Sequence, residues 1–520
     1  YVKKGIGAHP YPEDFRDAIT EYVQTDLTWF FDQWMETTKH IDYKLTRIQK
    51  IPIKDTTKND TLRKHIYRIG LQRLGRMQMP IDFTISNWYG QKFDYHIPNT
   101  WYKKPTSATI LPKWYGWDLL NQKYTATVTI PGGIKELEID PSHTLADKDL
   151  TNNSFTNFYD VDIKHNVINP PSWEKLKIYF KPAIWWNQYD GLQLGAGSKR
   201  EYFNQNYWQD LTIWGNTGWP QTNIPDAAEN SHRKVAVQLS NKVNLSKWWR
   251  QLYYVSDIQY NAGLFKMQMG FEKIFRFQDL KNPRYTKFFA YHGLMYRDLP
   301  SDTLYLLYPQ YWSVGKINSY MQAGVSRYYP IKTKGTGEFT LEARVPGISN
   351  EFNYSFIQFT HISHINISKF EWHSRLFARA GFGNTPFESA LYLAGASPEE
   401  MYGNKLTRAA GFVPQEWLGY GSNVNHFQMG GGLNVRGYAG YLAPVDEDGV
   451  QYFNHVGKSG ASLSMELDFD KFIPLKPTRF TRNVHFDTYL FHDMGLLSYY
   501  NTDNRQDFGK LRMSSGEGTA

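Results

Sequence analysis

The 520-residue sequence contains no cysteine, which excludes disulfide frameworks, cysteine-containing metal sites and thiol catalysis together. It contains no run of about 18 apolar residues, so no transmembrane helix is expected. Nor is there a basic patch. The formal charge is +8, but Lys and Arg are spread through alternating segments, which sets nucleic acid aside and makes anionic lipid headgroups the more natural partner. Rings, by contrast, are abundant: 37 Tyr, 32 Phe and 17 Trp accompany a mean hydropathy of only −0.57. Strands that alternate between lipid and an aqueous interior, with aromatic girdles at both interfaces, have that composition. The chain opens at Tyr1 without a signal peptide and reads from its first residues as the middle of a folded domain, so a fragment is expected.

Residues 1–43 read as helical. Pro12 suits a first turn, Glu13 and Asp14 complement the helix dipole, and Phe15, Ile19 and Val23 share a face. Thr25 is the expected cap of a second helix running from Leu27 to about Thr38, whose Trp29, Phe30, Phe31 and Trp34 require a packing partner. From about residue 50 the period becomes two: Tyr67, Ile69 and Leu71 alternate with polar neighbours, as do Ile81, Phe83 and Ile85, and then Tyr124, Ala126, Val128 and Ile130. This predicts a small β-sandwich over 44–155.

The alternation continues over 156–520 in longer strands. Phe265, Met267, Met269 and Phe271 oppose Lys266, Gln268, Gly270 and Glu272; Phe339, Leu341, Ala343 and Val345 oppose Thr340, Glu342 and Arg344; Leu463, Met465, Leu467 and Phe469 oppose Ser464, Glu466 and Asp468. About fourteen such strands are expected, many near the length that a tilted strand needs to cross a bilayer. A pair of soluble sandwiches is the competing reading, but soluble strands are usually shorter and less aromatic at their ends. Between the strand ending near Phe382 and the one starting near Gly457 lie more than seventy residues rich in Gly, Asn and Pro, a length that usually signals function.

Within that loop stands Gly430-Gly431-Gly432-Leu433-Asn434-Val435-Arg436-Gly437-Tyr438, and beyond it Glu466 and then Phe491-His492-Asp493-Met494-Gly495. These segments resemble the BamA-type superfamily of outer-membrane insertases and translocators. The resemblance implies that loop 384–456 folds back into the barrel lumen with a Val-Arg-Gly-Tyr tip. It also implies that the loop follows the eleventh strand, and that a Phe-x-Asp-x-Gly strand comes thirteenth. The site residues carried over are Val435, Arg436, Gly437, Tyr438, Glu466, Phe491, Asp493 and Gly495. A guanidinium presents a rigid donor fork to carboxylates, so Arg436 reaching Asp493, and Glu466 beside it, would latch the loop, while Gly437 would permit the turn. Taken by itself, Arg436 also reads as a solvated residue of a flexible loop. Relatives close with about sixteen strands; counting ends at fourteen, inside Leu511–Gly516, so truncation at the carboxyl end is expected as well. The expected fold is therefore mainly β: a short helical segment, a small sandwich, and an antiparallel outer-membrane barrel.

The front of the chain resembles a second family. His9-Pro10-Tyr11-Pro12-Glu13-Asp14-Phe15, the stretch Asp26–Trp34 and Ile41-Asp42-Tyr43 are similar to the end of the catalytic domain of aminopeptidase N-type gluzincin zinc peptidases. The sandwich, closing with Ile139-Asp140-Pro141 and Leu145–Asn153, is similar to the β-domain that follows it. The zinc chemistry needs two His one helical turn apart with a Glu between them; no His-Glu dipeptide occurs, so no catalytic residue, cofactor or metal ligand is expected here, and zinc would belong to an upstream domain. His361 and His364 form the closest metal-like pair, but an odd offset on a strand sends them to opposite faces. Ala228-Glu229-Asn230 only faintly matches a substrate-binding strand of that family. The order of the two resemblances implies an outer-membrane zinc metallopeptidase anchored by its barrel in a Gram-negative cell, with amino-terminal domains in the periplasm. The alternative is an insertase or translocator with a degenerate peptidase-like module. Lipid is the implied partner, together with peptide or unfolded outer-membrane protein substrates. A simple porin is disfavoured because an inserted loop blocks diffusion.

Overall fold

A computed structural model of the chain describes residues 11–52, 64–156, 158–163, 172–187, 190–202, 207–219, 234–246, 248–261, 263–277, 284–298, 313–332, 334–393, 397–403, 432–435, 445–447, 450–452, 456–472, 488–499 and 512–519. It divides into two compact units, Tyr1–Tyr179 with Arg200–Gln205, and Phe180–Lys199 with Asn206–Ala520.

The first unit begins with helix α1, Pro12–Val23. Its amino end is closed by the Asp14 carboxylate, which accepts the Tyr11 N–H at 2.7 Å. Helix α2, Thr28–Met35, starts one residue later than expected and has a different cap. Asp26 Oδ1 accepts the Thr28 N–H at 2.9 Å, whereas the Thr25 hydroxyl turns back to the Val23 carbonyl. A carboxylate is the better acceptor for the positive end of a helix. The aromatic stripe of α2 docks on the sandwich: Trp29 stacks on Trp101 with centroids 5.9 Å apart. Beside it Gln33, buried, exchanges hydrogen bonds with the Gln78 backbone at 2.7 and 3.3 Å.

The sandwich comprises β1 (Tyr43–Ile51), β2 (Lys64–Arg73), β3 (Ile81–Asn87), β4 (Lys92–Ile97), β5 (Thr109–Ile110), β6 (Lys123–Pro131) and β7 (Ile134–Ile139). One sheet runs β1-β2-β6 and the other β5-β4-β3-β7. Between them Ile69, Leu71, Phe83, Ile85, Ile130 and Leu137 form the core. The first strand opens at Tyr43, earlier than periodicity indicates, because the β1–β2 register shifts between Leu45 and Arg47. Such a bulge inserts an extra residue and breaks the two-residue period just where it would be read.

At the foot of β1, Asp42 and Asp147 are drawn together, with Asp147 accepting the Tyr43 N–H at 3.0 Å and Asp42 accepting from the Asn152 amide at 3.1 Å. Burial, reinforced by the neighbouring Asp147 charge, pushes the Asp42 carboxyl up to about 7; burial likewise raises Asp147 to about 6. Between the ordinary carboxylate range and these values the folded chain holds protons that the unfolded chain releases, so this unit loses stability as pH rises from about 4 to about 7 and levels off above. Amide-exchange protection of residues 43–51 is expected to fall across that window. Asp42→Asn should raise protection at pH 8 and flatten the dependence; an unchanged slope would rule the pair out as its source.

The large sheet follows. Its strands are β8 (Tyr159–Ile163), β9 (Leu176–Asn187), β10 (Gly191–Glu201), β11 (Tyr207–Asn216), β12 (Val235–Asn244), β13 (Leu252–Asn261), β14 (Leu264–Phe277), β15 (Arg284–Arg297), β16 (Ile317–Ile331), β17 (Gly335–Pro346), β18 (Tyr354–Ile367) and β19 (Phe370–Gly383). After the long connection come β23 (Val456–Asp468), β24 (Tyr489–Tyr499) and β25 (Arg512–Thr519). The connection itself holds β20 (Leu391–Tyr392), helix α3 (Pro398–Met401), β21 (Val445–Glu447) and β22 (Val450–Tyr452).

Each strand of the large sheet lies beside its predecessor, in the order β8 through β19 and then β23, β24 and β25, with β8 and β25 as open edges. From β9 this gives the fourteen strands that the sequence predicts. The long connection follows the eleventh, and the Phe491–Gly495 segment lies on the thirteenth. The short β8 escapes the sequence reading, since its five residues fall well short of the length that a tilted strand needs to cross a bilayer. Outward-facing apolar side chains neighbour one another across successive strands: Met321 pairs with Val345, Ala343 with Ile357, and Leu376 with Leu463.

Candidate functional site

The opposite face of the sheet carries charge and amide. Glu272 receives Lys242 at 3.0 Å and the Tyr291 hydroxyl at 2.8 Å, and Glu342 receives Gln322 and Gln358 at 2.7 Å each. Segments of the long connection settle on this face in two places.

In the first, Pro398 and the Ser397 cap start α3, with Ser397 Oγ accepting the Glu400 N–H and Glu400 returning to the Ser397 backbone at 2.8 Å. This capping box fixes the turn and leaves Glu399 directed at the wall. Arg344 of β17 grips Glu399 with both nitrogens, Nη1 to Oε2 at 2.9 Å and Nη2 to Oε1 at 3.1 Å. Ser389 and Tyr320 add hydroxyl donors to the same carboxylate at 2.8 and 3.2 Å. The guanidinium lies 3.7 Å over the Tyr320 ring. Two opposite charges removed from water are thus paired in bidentate geometry, with hydroxyl donors on the carboxylate and the Gln322 amide oxygen on Arg344 Nη2. On one side Lys266 of β14 donates to the Glu399 carbonyl at 2.8 Å; on the other Arg379 of β19 donates to the Ser389 carbonyl at 3.3 Å. Tyr402 completes this anchor: its hydroxyl bridges the Asn261 N–H and the Leu264 carbonyl at 3.0 Å each, across the β13–β14 turn.

In the second place, Leu433 and Val435 are buried completely among Phe377, Leu391, Leu393 and Leu497. The Val435 N–H donates to the Leu393 carbonyl at 2.8 Å, and Arg375 Nη2 donates to the Gly432 carbonyl at 2.8 Å. Absence of side chains in the wall makes room for the tip. A Cβ at Gly495 would stand 2.7 Å from Val435 Cγ2, and one at Gly460 would stand 3.1 Å from the Leu433 methyl groups. Arg375, Ser464 and Asp493 form one cross-strand row on this face, next to the row His373, Glu466 and Phe491. Asp493 is fully buried.

Of the residues singled out from the sequence, the structure brings Val435 and Gly495 into contact and places Glu466, Phe491 and Asp493 on the same face nearby. Arg436, Gly437 and Tyr438 lie outside the described residues, as does Ala228–Asn230. Arg344, Glu399, Ser389 and Tyr402 were missed. The only signal was the Ser397-Pro398-Glu399-Glu400 helix start in an otherwise irregular stretch.

No protein-family model and no curated protein matches the chain. Among solved structures it is similar to BamA from Haemophilus ducreyi lacking POTRA domains 1–3, at 15% identity and a TM-score of 0.32, covering 66% of this chain and 66% of that one. It is also similar to the outer membrane protein OprD from Pseudomonas aeruginosa, at 7% identity and a TM-score of 0.27, covering 93% and 94%.

Proposed function

We propose that this chain is an outer-membrane β-barrel anchor whose lumen is occluded by its own long loop and which holds the amino-terminal unit in the periplasm. The observation that carries the proposal is the apolar face of the large sheet. Phe271, Phe288, Leu341, Val345, Ile357 and Leu490 are each 44–54% exposed, on strands of 11–15 residues. An apolar surface of that extent is not left in water by a soluble domain, and lipid is its natural solvent. Rings gather on the outer face near one set of strand ends, where Phe275 meets Phe288 and Phe370 meets Phe472, as an interfacial girdle requires. Reconstituted protein should float with phospholipid vesicles after an alkaline carbonate wash. Recovery in the wash would overturn the anchor.

Within this reading, the loop tip is a latch: Arg436 pairs with Asp493, with Glu466 alongside, while Val435 seats against Gly495. Arg436→Ala is expected to increase protease cleavage within residues 430–440 in vesicles, and unchanged cleavage would sink the latch. The finer assignment, that the anchored protein is a zinc metallopeptidase of aminopeptidase type, rests on the resemblance over residues 9–153. Chelator-sensitive peptidase activity of the naturally extended gene product supports it. A zinc-free, well-folded, inactive product would favour the insertase or translocator instead, a reading that the seated loop tip also suits.

A further inference from the structure

His364 has a partner that its spacing to His361 conceals. It lies directly across the β18–β19 hairpin from His373, with their Nδ1 atoms in contact and the ring centroids 4.5 Å apart. Glu371, two residues before His373, shares its face, and β23 sets Asp468 opposite Glu371. Donor atoms of Glu371, His373 and Asp468 all lie within 4.8 Å of one another. His373 Nε2 stands 3.7 Å from Glu371 Oε2. That is long for a hydrogen bond but close to the separation of about 3.4 Å expected between two ligands held tetrahedrally about 2.1 Å from one ion. Lys471 engages the other Glu371 oxygen, Oε1, so Oε2 remains directed at the cluster.

We propose that Glu371, His373 and Asp468 bind a divalent transition-metal ion, with His364 as a positioning residue. The ring nitrogens of His373 divide the work. Nε2 faces the ion, while Nδ1 is held by His364, which fixes tautomer and orientation in the way that a metal-bound imidazole usually requires. One imidazole and two carboxylates suit Zn²⁺ or a neighbouring first-row ion and leave a coordination position open; magnesium and calcium prefer all-oxygen sites. The location gives the ion a task. β19 and β23 are adjacent in the sheet but separated in sequence by the whole long connection, and a metal bridging Glu371 and His373 to Asp468 staples that non-local joint at the end opposite the loop.

The test uses the full chain in detergent, stripped with chelator and titrated with Co²⁺ followed optically and with Zn²⁺ by calorimetry. One equivalent is expected to bind and to raise the thermal midpoint of the barrel. His373→Gln and Asp468→Asn, near-isosteric changes, should weaken binding at least about tenfold, and His364→Ala by about 10–100-fold, the usual loss when a ligand's supporting contact is removed. His361→Ala, whose ring instead meets Tyr329, should bind as the unsubstituted chain does. Heat-modifiable migration of each variant establishes that the barrel is folded. Absence of binding by the folded chain, or equal affinity in His373→Gln and Asp468→Asn, overturns the proposal.

Discussion

Replacing Glu399 by Gln is expected to unseat the first half of the loop, raising the single-channel conductance of the reconstituted barrel and opening residues 384–403 to protease. The substitution keeps size and removes charge, leaving the Arg344 guanidinium buried without its counter-ion. Removing one member of a pair in such a setting costs about 3–5 kcal/mol, far more than the ~1 kcal/mol of an ordinary hydrogen bond. Arg344→Met should do similar damage by stranding the carboxylate between Ser389 and Tyr320. The informative variant is the double one. If the pair acts as a unit, Glu399→Gln with Arg344→Met is less disruptive than the two losses added together, because no uncompensated charge remains. Conductance and protease resistance that stay at the level of the parent protein in both single variants would show that the loop is held by something else.

A methyl group added at Gly495 should expel the loop tip while leaving the Glu399 anchor in place. The added carbon would overlap Val435 Cγ2 at 2.7 Å, and the row behind it is strand backbone that cannot retreat. Overpacking of this kind typically costs about 1–3 kcal/mol, enough to free a short buried segment. Gly495→Ala is therefore expected to increase cleavage at residues 430–440 without the rise in cleavage at 384–403 that Glu399→Gln gives. Val435→Ala in the same chain should restore protection by removing the methyl groups that clash. If the second substitution does not rescue the first, the conflict lies elsewhere in β24.

The large sheet was legible because its strands obey one rule over many residues: apolar on one face, polar on the other, as in Phe265–Glu272 and Leu463–Asp468. Where the rule is interrupted the reading weakens. The bulge near Thr46 hid the start of β1, and shortness hid β8. The site was legible only in part, for a related reason. Val435 and Gly495 were visible through a motif, a local string, whereas the Glu399–Arg344 pair exists only where the connection folds back onto the sheet. Arg344 reads as one polar residue among the alternating positions of β17, and Glu399 as the solvated first turn of a helix. Neither carries a mark of the other, since 55 positions separate them and only the return of the connection onto β17 brings them together. His364 misled in the opposite direction, its neighbour in sequence drawing attention from its neighbour in space.

The hydroxyl of Tyr402 reaches back 141 positions to the β13–β14 turn, and that distance carries a consequence for assembly. Contacts so remote along the chain repay their loop-closure entropy only after the intervening strands are in place. A sheet halted at β16 offers Tyr402 its hydrogen-bond partners but not Arg344; one halted at β19 offers Glu399 its counter-ion but gives Val435 no glycine to lie against. The loop can come to rest only once β24 is in place. Its burial therefore marks a late point in assembly of the sheet, and an exposed loop marks a chain still short of it.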